Sequence, residues 1–426
     1  MGREIWVCGM ENLDKGKTAL VLGYGRSGKA AETLLRRAGC SVTVLDGEAA
    51  FPVGTFGVAV VSPGIALTHP WIVQAKRRGI PLKSELQLGC EALRRRGWRL
   101  LAVTGSKGKS SVVKVVADAI SLSGRHAVAC GNSGVPVSEV ANSNTQTLKH
   151  SNTSPWAVVE VSSFMMETTD LPSDAFEAAA ILNLQEDHLD RHGSVETYHA
   201  LKRKLLTFAK RGVEGDDLVS EMKRSGDSLS ALWAGSYFDN AILSGNAACA
   251  VELMRAAGLD DAVVARAFHD FEPLPHRMNL VAEIDGIRYV DDSKATSLSA
   301  LAAGVEMASS PNSHPSSLIP HPSILLIAGG LPKGDDPKSV LPILTKRVKK
   351  VYLIGRCAEV FSAAWKSDVE CEISGTMENA VEGARRDAEK GETVLLSPGT
   401  ASFDQFKSFG ERGDVFARLV KKGKKE

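Results

Sequence analysis

The sequence predicts an α/β protein built from three consecutive units, because three segments read as a strand followed by a loop and a helix. The first is "KTALVLGYGRSGKAAETLLRRAG", in which an apolar strand runs into glycines and then into a helix with apolar spacing. The second is "LLAVTGSKGKSSVVKVVADAISLSG", and the third is "IRYVDDS" followed by "ATSLSALAAGVEMA". Strands that alternate with helices in this way are typical of parallel sheets covered by helices.

The length of 426 residues suits several domains at roughly 100–200 residues each. The arginine-rich "EALRRRGWR" ends the first of these units. Two prolines in "EPLPHRM" are expected to break the helix that precedes the third. We therefore predict domains at residues 1–98, 99–273 and 274–426. The polar residues 141–154 are expected to form a surface loop, and the Ser/Pro-rich residues 309–322 a flexible insertion.

The composition excludes several classes of protein. The net charge is +1, so bulk charge does not favour nucleic acid or a membrane surface as a partner. Seven scattered cysteines without a C-x-x-C pair indicate neither a disulfide framework nor a zinc site. No apolar run approaches the roughly 20 residues of a membrane helix, and the N-terminus lacks the apolar core of a secretory signal. We expect a cytoplasmic monomer that acts on small molecules.

The first glycine-rich loop, "GYGRSG", has the G-x-G-x-x-G pattern of a Rossmann-like domain. Its glycines are Gly23, Gly25 and Gly28, and Asp46 ends the next strand, where a ribose-binding acid would lie. The glycines let the backbone approach a diphosphate, and the helix N-terminus favours an anion. This chemistry suits any pyrophosphate, so a nicotinamide dinucleotide and a UDP-sugar both stay open here. The turn "SPGI" ends a further strand at the same sheet edge.

The second loop, "TGSKGKSS", resembles the phosphate loop G-x-x-x-x-G-K-[ST] but has Val103 in place of its first glycine. It lies between a buried strand and a helix, which predicts a P-loop ATPase-like central domain. In such a loop the backbone N–H groups surround the phosphates of a triphosphate. Lys109 would meet the β and γ oxygens, and Ser110 would hold Mg²⁺.

These motifs and their order are similar to those of the Mur ligases, whose shorter loop G-[ST]-x-G-K-[ST] follows a Thr. Later blocks match the family in order: "GNSGVP", "VVEVSSF", "NLQEDHLDRH" with "YHALK", "LPHRMN", "VDDSKATS", "AGGLPKGDD" and "LLSPGTASFDQFKSFGERGDVF". The resemblance covers nearly the whole chain. It implies an ATP-dependent ligase of peptidoglycan precursor synthesis, with a Rossmann-like C-terminal domain that binds the amino acid. "VDDSKATS" and the last block resemble those of the family members that add D-glutamate to UDP-N-acetylmuramoyl-L-alanine. The D-N-P-R block expected of a diaminopimelate-adding ligase does not occur in the sequence.

The resemblance also implies the role of individual residues. The implied ATP-binding residues are Gly105, Ser106, Lys107, Gly108, Lys109, Ser110, Ser111, Asn246, Arg277 and Asp292. Those implied for the UDP-substrate are Gly25, Ser27, Asp46, Ser62, Gly64 and Asn132. Those implied for D-glutamate are Lys294, Thr296, Lys333, Ser402, Phe403 and Phe409. Two Mg²⁺ ions would be held by Ser110, Glu160, His188 and Lys202, with Lys202 carried as a carbamate, and the implied catalytic residues are Lys109, His188 and Lys202.

The chain departs from the family pattern at several places. Lys107 stands where the family often has Asn, and "LDGEAAF" lacks the Thr/Ser-Arg that often follows the acid. The stretch before Asn246 is compressed. Three alternatives therefore stay open: a related ligase for another amino acid, such as a folylpolyglutamate synthase; a dehydrogenase that uses "GYGRSG"; and a non-catalytic relative that binds UDP-sugar precursors.

Overall fold

The computed structural model describes residues 18–132, 134–143, 153–186, 189–225, 228–240, 243–309, 323–332 and 334–422. Most of the predicted loop at 141–154 and of the predicted insertion at 309–322 lies outside these ranges. Three consecutive sheets with helices between their strands confirm the α/β prediction. Contacts group the chain into two compact units, which we call unit 1 (residues 1–238 and 243–271) and unit 2 (239–242 and 272–426).

The first sheet of unit 1 is parallel, in the order β2-β1-β3-β4. Its strands are β1 (Thr18–Leu22), β2 (Ser41–Leu45), β3 (Val58–Val61) and β4 (Leu82–Ser84), and its helices are α1 (Arg26–Arg37), α2 (Pro70–Arg77) and α3 (Glu85–Arg95). The chain leaves β1 towards β2 and later returns to β3 on the other side. The loop after β1 therefore lies at the point where strand order reverses, the usual ligand site of open α/β sheets.

The second sheet of unit 1 is also parallel, in the order β6-β7-β5-β8-β9. Its strands are β5 (Arg99–Thr104), β6 (Ala127–Gly131), β7 (Trp156–Glu160), β8 (Ala178–Ile181) and β9 (Gly212–Glu214). Its helices are α4 (Lys109–Leu122), α5 (Val137–Asn142), α6 (Ser163–Met166), α7 (Leu189–His192), α8 (Val195–Arg203), α9 (Gly215–Ser225), α10 (Ser244–Ala256) and α11 (Asp261–His269). Short 3₁₀ helices cover Lys204–Phe208 and Ser228–Leu232. One apolar core runs from Ala19 of β1 through Leu86 of α3 to Phe208, which joins both sheets.

The sheet of unit 2 has the order β10-β11-β15-β12-β13-β14, and only the β10–β11 pair is antiparallel. The strands are β10 (Asn279–Ile284), β11 (Ile287–Asp291), β12 (Ile324–Gly329), β13 (Val348–Ile354), β14 (Glu370–Gly375) and β15 (Thr393–Leu396). The helices are α12 (Leu298–Ala308), α13 (Leu341–Arg347), α14 (Ala358–Trp365), α15 (Met377–Asp387) and α16 (Phe409–Lys422), with a 3₁₀ helix at Pro337–Val340. The turn between β10 and β11 has positive φ at both Asp285 and Gly286, a two-residue hairpin geometry that Asp-Gly favours.

Short polar side chains fix where several of these helices begin. Ser84, Ser194, Asp260 and Ser297 each accept a hydrogen bond from a backbone N–H in the first turn of the helix that follows. Such caps satisfy amides that have no partner inside the helix. Among the helices that the structure describes, none has the length and apolarity that crossing a membrane requires.

Candidate active site

The loop between β5 and α4, residues 105–108, takes a shape that two glycines permit. Gly105 has a φ of +152° and Gly108 a φ of +83°, the region that disfavours a side chain. A Cβ on Gly108 would lie 2.0 Å from Nδ2 of Asn246, and a Cβ on Gly105 would lie 3.0 Å from Leu182. The loop leads directly into the N-terminus of α4, which carries the positive end of the helix dipole. An anion bound there is stabilised.

The segment after β8 holds this loop in place. The carbonyl of Asn183 accepts the N–H of Ser106 at 3.0 Å, and its Oδ1 accepts the N–H of Lys107 at 2.9 Å. The Asn183 amide nitrogen donates to the carbonyl of Lys107 at 3.0 Å and to Oδ1 of Asn246 at 3.1 Å. Ser106 Oγ accepts the N–H of Gln185 at 2.9 Å and donates to its carbonyl at 3.0 Å. The loop conformation is therefore set by the protein itself.

Two lysines that the sequence singles out meet at one carbonyl of this loop. Nζ of Lys109 donates to the carbonyl of Gly105 at 2.8 Å and to that of Ser106 at 3.2 Å. Nζ of Lys202, whose residue is only 2% exposed, donates to the same Gly105 carbonyl at 2.9 Å and lies 4.5 Å from the ring centre of Tyr198. Two ammonium groups beside the start of α4 give a positive region that suits the phosphates of a nucleotide.

A buried carboxylate lies at the end of β7, next to the first turn of α4. Oε2 of Glu160 accepts the hydroxyl of Ser110 at 2.7 Å, and Oε1 accepts the side-chain amide of Asn132 at 3.0 Å. Gly131 lets the end of β6 lie close to the backbone of Glu160, since a Cβ on Gly131 would lie 2.3 Å from the carbonyl oxygen of Glu160. A buried charge is costly unless it is paired, hydrogen-bonded or bound to a metal. The carboxylate and hydroxyl oxygens gathered here are ligands that suit Mg²⁺.

Arg191 joins the two sheets of unit 1 and was not singled out from the sequence, although it belongs to the "DHLDRH" block. Its Nε and Nη2 bind the two carboxylate oxygens of Glu167 at 3.0 and 2.7 Å. The same Nη2 donates to the carbonyl of Ile65 at 2.9 Å, in the "SPGI" turn after β3. A bidentate arginine is geometrically demanding, so it holds this turn in register with the second sheet.

The glycine loop after β1 is built differently. A Cβ on Gly28 would lie 2.0 Å from the carbonyl oxygen of Gly23, so this glycine lets α1 pack against the end of β1. Oγ of Ser62 donates to the same Gly23 carbonyl at 2.8 Å. Oδ1 of Asp46 accepts the N–H of Tyr24 at 3.2 Å. Ser62 and Asp46, both predicted substrate-binding residues, thus lie at the loop. Gly25 precedes α1, Ser27 lies in its first turn, and Gly64 belongs to the turn after β3.

In unit 2, predicted nucleotide-binding residues gather at the end of β11. Asp292 is buried, and burial raises the pKa of its carboxyl to about 7. Ser397 donates to its Oδ2 at 2.9 Å, and Arg277 lies close enough to oppose the rise in pKa. On either side of Arg277, His276 and Met278 have φ values of +62° and +54°, which only a well-determined environment maintains in non-glycine residues.

The residues predicted to bind D-glutamate lie on three segments of unit 2. Nζ of Lys294 lies 3.9 Å from the ring centre of Phe409, the first residue of α16. Thr296 follows in the same turn and is half-buried, whereas Ser402 is buried after β15. Phe403 is 71% exposed, an unusual state for a large aromatic side chain. The structure therefore brings Lys294 and Phe409 together, and His188 and Lys333 lie outside the described residues.

Comparisons with known proteins place these motifs in one family. The family model described as "Mur ligase middle domain" matches residues 103–223, and "Mur ligase, glutamate ligase domain" matches residues 276–399. A UDP-N-acetylmuramoylalanine--D-glutamate ligase of Acidobacterium capsulatum is 31% identical, over 95% of this chain and 96% of the relative. The ligase of the same name from Chlamydia abortus is 32% identical, over 95% and 97%. The MurF ligase of Thermotoga maritima, solved with ADP, aligns with a TM-score of 0.55 at 14% identity, over 98% of this chain and 99% of that one; this likeness shows the fold.

Proposed function

The chain belongs to the Mur ligase family, and we propose that it is the ATP-dependent ligase that joins D-glutamate to UDP-N-acetylmuramoyl-L-alanine. This reaction extends the peptide of a peptidoglycan precursor. The observation that carries the proposal is the loop after β5. There Lys109, Ser110 and the buried Glu160 meet at the start of α4. Among curated relatives over 30% identical across 95% of the chain, the shared name is that of the D-glutamate ligase.

Amide formation from a carboxylate requires a leaving group, which ATP supplies. An oxygen of the alanyl carboxylate attacks the γ-phosphorus, and the bond from that phosphorus to the β–γ bridging oxygen breaks, which releases ADP. The amine of D-glutamate then attacks the acyl carbon, loses a proton and displaces phosphate. The protein contributes mainly by positioning and by neutralising charge. Lys109 and the N-terminal amides of α4 stabilise the transferring phosphoryl group.

The donor set at Glu160 fits Mg²⁺, and we propose Ser110 and Glu160 as its protein ligands. When bound, the ion neutralises charge on the phosphate oxygens. A second ion would be held by His188 and by Lys202 as a carbamate. A carbamate replaces the ammonium that now donates to Gly105 with oxygen ligands. Mass measurement of the intact protein with and without dissolved CO₂ tests this modification.

In this proposal, each of the three domains binds a different substrate. Domain 1–98 binds the UDP end, through the loop after β1 and the "SPGI" turn. Domain 99–273 binds ATP, with Arg277 and Asp292 contributing from the third, and Asn132 is proposed to contact the UDP-substrate. Domain 274–426 binds D-glutamate through Lys294, Thr296, Lys333, Ser402, Phe403 and Phe409. The protein is proposed to act as a monomer in the cytoplasm.

Phosphate release tests the proposal directly. We expect release from ATP only when UDP-N-acetylmuramoyl-L-alanine and D-glutamate are both present, with L-glutamate, meso-diaminopimelate and D-alanine as comparison amines. Phosphate release with another of these amines, and not with D-glutamate, would show that the protein uses that amine and that the assignment of D-glutamate is wrong. Release with a folate substrate and L-glutamate would favour a folylpolyglutamate synthase. No release with any of them, together with binding of the UDP-precursor in calorimetry, would show a non-catalytic relative.

A further inference from the structure

Arg412 of α16 is a charged side chain in the interior of unit 2. The residue is 0% exposed, and burial lowers the pKa of its guanidinium to about 10. Its hydrogen-bond acceptors are neutral, while Asp291 and Asp404 attract it at longer range. Burial of a cation without a directly bonded anion is costly. The fold keeps this group where an apolar side chain would cost less, which indicates a task other than filling space.

The guanidinium joins two segments of the chain that follow different strands. Nε donates to Oγ of Ser293 at 3.0 Å, and Nη2 donates to the carbonyl of Ser293 at 2.9 Å. Nη1 and Nη2 both donate to the carbonyl of Thr400 at 3.2 Å, and Nη1 reaches that of Ala401 at 3.4 Å. The planar fork of arginine serves all of these acceptors at once, which the single ammonium of a lysine cannot do.

The atoms that Arg412 holds continue directly into the residues proposed to bind D-glutamate. Ser293 precedes Lys294, and Ala401 precedes Ser402. Oγ of Ser293 also donates to the carbonyl of Phe409 at 2.8 Å. The carbonyl of Ala401 also accepts the N–H of Leu331, so the turn after β12 is connected to Arg412 through this carbonyl. One buried group is thus connected to three turns at the carboxyl edge of the sheet.

We infer that Arg412 is a positioning residue for the amino-acid substrate, which sets the distance between Lys294 and the turn that carries Ser402. The inference rests on the proposed function, because it takes D-glutamate as the ligand of these turns. Two carboxylates of one small substrate need cationic and amide donors at a fixed separation. A loss of this separation weakens D-glutamate binding and leaves the binding of the other two substrates unaltered.

The test compares Arg412→Lys and Ser293→Ala with wild type in the complete reaction. We expect Arg412→Lys to raise the KM for D-glutamate by about tenfold or more, with the KM for ATP and for UDP-N-acetylmuramoyl-L-alanine within about twofold of wild type. Ser293→Ala removes one acceptor and the link to Phe409, so its effect is expected to be about threefold in the same direction. The matched control is Arg418→Lys, an exposed arginine on the same helix, which should change none of the three constants.

Each outcome decides a separate point. An unchanged KM for D-glutamate in both Arg412→Lys and Ser293→Ala would overturn the positioning role. Equal increases in all three KM values, together with a lower unfolding temperature, would also overturn it in favour of a purely structural role. If Arg412→Lys does not fold, Ser293→Ala alone decides, because it leaves the arginine in place. Absence of D-glutamate-dependent phosphate release in wild type would contradict the proposed function rather than this inference.

Discussion

The two glycine loops of unit 1 look alike in sequence but use their glycines for different reasons. In the loop after β1, Gly28 is required because a Cβ would collide with the backbone of Gly23. In the loop after β5, Gly108 is required by a left-handed φ and by the side chain of Asn246. Gly28 of the first loop is therefore required by packing between its own strand and helix, although Ser62 and Asp46 also bond to this loop. The second depends on side chains that later parts of the chain supply, which ties its shape to the proposed active site.

The largest expected effect is on the second loop. Lys109→Ala removes the ammonium beside the phosphates, so we expect phosphate release to fall by about a thousandfold or more, with an unfolding temperature near that of wild type. The control is Lys114→Ala on the same helix, whose ammonium is bonded to Asp118, and this variant should remain active. Ligation by Lys109→Ala at a near-normal rate would refute the role of the loop.

The next largest effect is expected at the first loop and concerns stability. In Gly28→Ala the new methyl group would lie 2.0 Å from a backbone oxygen that cannot rotate away. We expect a loss of about 3 kcal/mol in the free energy of unfolding, measured with urea. Gly25→Ala is the matched control for stability, because its Cβ would have no atom within 4 Å. Equal stabilities of the two variants would show that packing does not explain the first loop.

Gly108→Ala should show the opposite pattern. Its neighbour is a side-chain amide that can move, so we expect a smaller loss of stability but a rise of about tenfold in the KM for ATP. Gly124→Ala has a similar φ of +79° without a neighbour, so it isolates backbone strain from the collision. Partial recovery of the KM in Gly108→Ala with Asn246→Ala would confirm the side chain as the cause. A KM equal to that of wild type would contradict it.

The smallest effect concerns the junction of the two sheets that carry the loops. Glu85 of α3 is buried, its Oε1 accepts the N–H of Ser138 in α5, and burial raises its carboxyl pKa to about 7. Cys90, Cys130 and Glu139 are the titratable groups near it. Because the folded chain holds this proton more tightly than the unfolded chain, its stabilising contribution is complete at low pH. That contribution is lost as the pH rises through about 7.

Glu85→Gln should therefore gain stability relative to wild type at pH 8 and little at pH 5. We expect a gain on the order of 1 kcal/mol, since the new amide donor offsets part of the benefit. Urea unfolding of both proteins across this pH range measures it. Glu91→Gln, a partly exposed glutamate on the same helix, is the control. A parallel pH dependence of Glu85→Gln and wild type would show that Glu85 does not titrate in this range.

The sequence predicted most strands of the parallel sheets, because their apolar runs and glycines are local signals, but it missed β4, β6, β9 and β14. It missed the antiparallel strand β10, although Asp285-Gly286 is a typical hairpin turn. It indicated Glu160 and Ser110 as partners in one site, and the Ser110 hydroxyl donates to Oε2 of Glu160 at 2.7 Å. Asn183, which holds the second loop, begins the "NLQEDHLDRH" block, but the block does not indicate which backbone groups its side chain reaches. The role of Arg412 is likewise not visible in the sequence, since no local pattern reveals which carbonyls a buried arginine reaches.

The double attachment of Asn183 to the loop after β5 has a consequence for how nucleotide binding is driven. The amide hydrogens of Ser106 and Lys107 both have acceptors within the protein itself. We expect both to exchange slowly with deuterated water before ATP is added, and to change little afterwards. Little conformational entropy then remains to be lost when ATP binds, so this loop offers the nucleotide a rigid template.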